Sequence, residues 1–145
     1  MRQILIFISI ASLLFTASGC TKINYVEEDQ FIGVWKLSGR PYFEGIRIEI
    51  TNESGQLKGQ IVQLNDQKLI NMFAENGDLW VSSIERSSNY EFNLVEMKLA
   101  AQLFSMYDIP ATAFFKARFI HSDTIGLAKG SKDPLKSNIR YIRVQ

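Results

Sequence analysis

The stretch GIRIEITNESGQLKGQIVQL (residues 45–64) decides the fold. Ile46, Ile48 and Ile50 alternate with Arg47, Glu49 and Thr51. A period of two residues gives an extended chain one apolar face and one polar face. Asn52-Glu53-Ser54-Gly55 follows, a run of residue types that favour turns, and QLKGQIVQL then resumes the extended pattern. The stretch reads as a half-buried antiparallel hairpin.

The same punctuation extends in both directions. Before the hairpin, FIGVWKL sets Phe31, Gly33, Trp35 and Leu37 against Ile32, Val34 and Lys36. After it, Asn76-Gly77-Asp78 predicts a turn joining a strand KLINMFAE to a strand LWVSSIER, and Ser87-Ser88-Asn89 leads into YEFNLVEMKL. ATAFFKARFI, TIGLAKG and NIRYIRV complete about nine short strands. KLAAQLFSMYD (residues 98–108) reads either as a short helix, with Leu99, Leu103 and Met106 on one side, or as a continuation of the strand before it.

Many short strands joined by local turns predict an all-β, up-and-down antiparallel barrel of about 8–10 strands, because closure removes the sheet edges that would pair with other chains. A sandwich is the alternative. A barrel of this size is either filled by side chains or holds one small ligand, and alternation alone is compatible with both.

The N-terminus carries a different signal. Arg2 precedes the apolar run ILIFISIASLLF (residues 4–15), which is shorter than the roughly 20 residues a membrane-spanning helix needs, and small residues follow it. Residues 1–19 are therefore expected to be a signal peptide. Ala17-Ser18-Gly19-Cys20 resembles the lipobox of bacterial lipoproteins, with Ala17 where that family usually has a larger aliphatic residue. The resemblance implies lipidation at Cys20 and attachment to a membrane. Because Thr21 and not Asp follows the cysteine, it also implies outer-membrane sorting. Cys20 is the only cysteine, so an internal disulfide is excluded. Residues 20–30 are expected to be a tether and residues 31–145 one barrel domain, of the commonest domain size.

The whole chain carries 16 basic and 15 acidic side chains, and loss of Arg2 with the signal leaves the remainder formally neutral. No basic face for nucleic acid follows from such a balance.

Gly33-Val34-Trp35 resembles the Gly-Xaa-Trp signature of the lipocalin and calycin barrels, and Tyr141-Ile142-Arg143-Val144 resembles their closing strand. In that family an arginine near the end packs over the tryptophan. The resemblance thus implies that Gly33, Trp35 and Arg143 close the barrel base and do not contact ligand. A ligand would then meet inward positions above that plug, for which alternation nominates Ile48, Ile50, Ile61, Phe92, Leu94, Phe115 and Phe119. Ala113, Ala117, Gly126 and Ala128 are small residues on the late strands that leave volume free.

Catalytic patterns are sparse. His121, Ser122 and Asp123 are adjacent, and neighbouring strand residues face opposite ways, so they form no triad. Glu27-Glu28-Asp29 reads as solvated spacer, and no metal, cofactor or enzymatic activity is expected. The composite expectation is a lipid-anchored outer-membrane protein whose barrel binds a small apolar molecule or lipid. The alternative is a filled barrel that presents residues such as Met72, Phe73, Phe104, Met106 and Tyr107 to an envelope protein partner.

Overall fold

The computed structural model describes residues 25–145; the expected signal peptide, Cys20 and the first residues of the tether lie outside them. Eight strands form a closed antiparallel barrel in which each strand pairs with the next and the last returns to the first. They are β1 (Gly33–Ser38), β2 (Arg47–Glu53), β3 (Gln56–Gln63), β4 (Leu79–Arg86), β5 (Glu91–Met97), β6 (Thr112–His121), β7 (Thr124–Ala128) and β8 (Arg140–Arg143). Closure is made by β1 and β8, with Trp35 opposite Arg143 and Leu37 opposite Tyr141.

Alternation places the core. In β2, Ile48 and Ile50 are buried while Glu49 is exposed, and in β5 Phe92, Leu94 and Glu96 all point inward. The β2–β3 hairpin turns on Ser54 and Gly55, both at positive φ as a two-residue hairpin requires, and Asn52 Oδ1 accepts the Gly55 N–H at 2.8 Å.

The segment read as a strand before Asn76 is instead a helix, α1 (Lys68–Phe73). β3 pairs directly with β4, so no ladder position remains for an extra strand. α1 buries Ile70 alone and leaves Leu69, Met72 and Phe73 exposed. The glycine turn still works as read: Gly77 N–H donates to Ile61 O at 2.7 Å, starting the β3–β4 pairing. A second short helix, α2 (Ala101–Met106), lies in the β5–β6 connection, which settles residues 98–108 in favour of helix.

The two ends of the barrel are built differently. Turns at 54–55, 87–90 and 122–123 and a 3-10 turn at Glu28–Phe31 gather at one end. The connections 39–46, 64–78, 98–111 and 129–139, with both α-helices, gather at the other. The first end is closed and the second carries the recesses described below.

Candidate functional site

At the closed end, Phe31 projects from the 3-10 turn into the barrel and meets Phe92 and Phe119 edge-on, with ring centroids 4.7 and 4.8 Å away. Trp35 is fully buried and donates its indole N–H to Phe31 O at 2.7 Å. The Arg143 guanidinium lies 4.2 Å from the Trp35 ring centroid and donates to Ile32 O at 2.9 Å and to Gln30 O. Gly33 is favoured there by its φ of +134°, which residues with a side chain rarely adopt, and a Cβ would also stand 2.7 Å from Arg143 Nη1.

The last residues of the expected tether lie against this same end. Val26 N–H bonds to Asn89 O, and Arg86 reaches back to Val26 O at 2.7 Å while stacking between Tyr25 and Phe92. Glu28 adds an ion pair to Arg86 at 3.7 Å.

Of the seven residues nominated for a ligand lining, Ile48, Ile50, Ile61, Phe92, Leu94 and Phe115 are buried in one core cluster, and Phe119 packs half-buried against it. They interdigitate inside the barrel. Phe115 and Ile61 also border recesses at the open end. Ala113 borders the same region, whereas Ala117 is fully buried among the core residues.

Besides the two adjoining recesses at the open end, a third hollow of about 530 Å3 lies along β4, β5 and β6, bordered by Ser83, Glu85, Asn93, Val95, Phe114 and Lys116. The larger of the two adjoining recesses has a volume of about 380 Å3. Its walls are Phe43 from the β1–β2 connection, Trp80, Leu99, Phe104 from α2, Ala113, Phe115 and Ile139, and its polar groups are Arg40, Glu96, Lys98 and Lys129. A neighbouring recess of about 360 Å3 lies between α1 and the start of α2, bounded by Ile61, Phe73, Leu79 and Ala101. Trp80, Met97, Lys98 and Leu99 border both.

A buried polar network underlies the larger recess. Arg40 Nη1 and Nη2 donate to Glu96 Oε2 and Oε1 at 2.7 and 2.9 Å, a bidentate pair that matches the planar guanidinium to the carboxylate. Tyr141 donates its hydroxyl to Glu96 Oε1 and accepts the Trp80 indole N–H at 3.1 Å. The guanidinium also lies between aromatic faces, 5.2 Å from Phe43, 5.7 Å from Trp80 and 5.6 Å from Phe115. Burial alone would lower the Arg40 pKa, but its hydrogen bonds and attraction to Glu96 outweigh burial, so it is raised and the side chain stays charged. Tyr141 is pushed well above the usual tyrosine range, first by burial and then by the Glu96 charge.

Sequence reading missed this network. Glu96 shares the inward face with Phe92 and Leu94, so the alternation that nominated those two also placed a carboxylate inside the barrel. That was the available signal. Arg40 gives none, because it reaches Glu96 from a connection 56 residues away in sequence.

The arrangement offers apolar walls, a neutralised polar floor and two lysines. His121 stands exposed at the end of β6, and Asp123 Oδ1 is engaged by the Thr124 hydroxyl at 3.1 Å. Among the described residues no group of three or more His, Cys, Asp and Glu side chains could hold a metal ion. No protein-family model matches this chain, and neither the curated proteins nor the solved structures contain a significant match.

Proposed function

We propose that this protein is a lipid-anchored component of a bacterial outer membrane, held there through Cys20, whose lipocalin-like barrel binds a small apolar molecule in its open end. The recess of about 380 Å3 carries the reading: it falls in the usual range for small-molecule sites, and its walls are aromatic and aliphatic with a few fixed polar groups. The anchor rests on the sequence before residue 25. Lipid chains contribute ~0.8 kcal/mol per buried methylene, so a multiply acylated cysteine suffices for stable attachment.

Titrating the chain from residue 20 onward, carrying Cys20→Ser, with an uncharged fluorescent naphthylamine tests the barrel. Saturable binding to one site supports the reading, and binding that never saturates sinks it. Metabolic labelling with a palmitate analogue tests the anchor: wild type should label and Cys20→Ala should not.

A second reading, a scaffold for an envelope protein, draws on a different observation. Met72, Phe73, Met106 and Tyr107 are 73%, 46%, 79% and 69% exposed around the open end. Crosslinking from position 72 or 106 in intact cells to a single protein species would favour it.

A further inference from the structure

The two recesses are not independent hollows. They are similar in size and share one wall, made by Trp80, Met97, Lys98 and Leu99 where β5 runs into α2. Lys98 therefore stands on a partition with an apolar lobe on either side.

The charges around the pair do not cancel. Arg40 is neutralised by Glu96 through two hydrogen bonds, and Tyr141 occupies Glu96 further. Asp78, the acidic side chain that borders the smaller lobe, keeps its charge but accepts the Glu75 N–H at 2.9 Å within its own turn and lies beyond ion-pair distance of Lys98. Lys98 and Lys129 remain, and among the described residues neither has a carboxylate within ion-pair distance. Both ammonium groups lean over aromatic walls of the larger lobe, Lys129 5.0 Å from the Phe115 centroid and Lys98 5.8 Å from that of Phe104. The double recess thus combines apolar walls with two cations that lack acidic partners, one of them on the divide.

We propose that the open end takes a double-chain amphiphile with an anionic head, one apolar arm in each lobe and the head against Lys98 and Lys129. An apolar arm leaves water for either lobe at ~25 cal/mol per Å2 buried. A head of opposite charge gains charge-assisted contacts with the half-buried Lys98 and the exposed Lys129. A single-chain ligand would leave one lobe empty, and an uncharged head would leave both lysines without partners. The proposal rests on the apolar-ligand reading above and narrows it.

The test presents the chain from residue 20 onward, carrying Cys20→Ser, with phosphatidylglycerol, phosphatidylcholine and lyso-phosphatidylglycerol, each at 10 mol % in otherwise inert vesicles or as monomer. Native mass spectrometry reads stoichiometry and competition reads affinity. One phosphatidylglycerol per chain is expected, bound about 10-fold more tightly than either of the others. Lys98→Gln with Lys129→Gln should cut that preference about 10-fold. Ala101→Trp, which fills the smaller lobe, and Ala113→Phe, which fills the larger, should each abolish double-chain binding.

Equal affinity for phosphatidylcholine, or two lyso-lipids bound as tightly as one phosphatidylglycerol, overturns the proposal. Saturable naphthylamine binding alongside such a result leaves the apolar-ligand reading standing, and failure of every probe removes both. Unfolding midpoints of the variants separate lost binding from lost structure.

Discussion

At one end of this barrel the strands turn back within a few residues, and a tryptophan lies under an arginine. At the other end four long connections carry two helices, an arginine, two phenylalanines and two lysines over the barrel mouth. The same eight strands serve both ends, so the contrast comes from what fills the space above and below the shared core. At the closed end Phe31, Trp35 and Phe119 meet ring to ring and Arg143 ties the plug to the backbone. At the open end a hydrogen-bonded network of Arg40, Glu96, Tyr141 and Trp80, flanked by the edge-on pair Phe43 and Trp80, lies beneath the recess. One end is thus plugged by rings, and the other keeps a recess above a polar network.

The largest expected effect sharpens this division. Trp35→Ala should cost roughly 3–5 kcal/mol of stability by removing a fully buried indole and its hydrogen bond, with probe binding by the remaining folded protein unchanged. Chemical denaturation and probe titration on the same variant check it. Loss of binding without loss of stability would mean that the two ends are not separate.

Next is Glu96→Gln. Breaking one side of a buried ion pair leaves the other charge uncompensated, and with the Arg40 side chain 17% exposed the cost belongs at the lower end of the usual range, about 3 kcal/mol. Denaturation midpoints of Glu96→Gln and of the double variant Arg40→Met/Glu96→Leu decide the point. The double variant should recover much of the loss, and failure to recover would show that the network contributes more than charge balance.

Two alanines on β6 probe the boundary between core and recess. Ala117→Phe should destabilise by roughly 1–3 kcal/mol, because Ala117 is fully buried beside Phe92 and Leu127. Ala113→Phe should leave the midpoint within about 1 kcal/mol and abolish probe binding, since it grows into the recess. Identical behaviour of the two variants would erase the boundary.

The smallest effect is a slope. Tyr141 holds its proton more tightly when folded than when unfolded, so its contribution is complete below the ordinary tyrosine pKa of about 10 and is lost as pH rises above it. Stability measured from pH 9 to pH 11 should fall more steeply for wild type than for Tyr141→Phe. Parallel curves would place the hydroxyl in water.

The alternation of residues 45–64 and the turn glycines could be read without coordinates, because each is a local consequence of strand geometry, whereas the pairing of Trp35 with Arg143 was implied only by the resemblance to the lipocalin and calycin barrels. α1 could not. Six residues carry less than two helical turns, and although Leu69, Ile70, Met72 and Phe73 fall in adjacent pairs and do not alternate, so short an apolar run passes for a strand until the direct pairing of β3 with β4 excludes it. The nominated lining failed to separate recess from core for a similar reason: alternation says which residues face inward, and says nothing of the height along the axis at which packing ends. Phe92 and Phe115 share an inward face, yet only Phe115 reaches the open end.

The stretch of chain from Tyr25 to Arg143's partner Gln30 is fastened to the closed end by Arg86, Asn89 and Arg143. Between Cys20 and Tyr25 run residues 21–24, and the five residue steps from one to the other extend at most ~18 Å. If Cys20 carries the lipid, the barrel therefore stands on a short leash with its plugged base toward its own bilayer. Its mouth then opens away from that bilayer, and any ligand of the recess would enter from the aqueous side and not from the leaflet beneath.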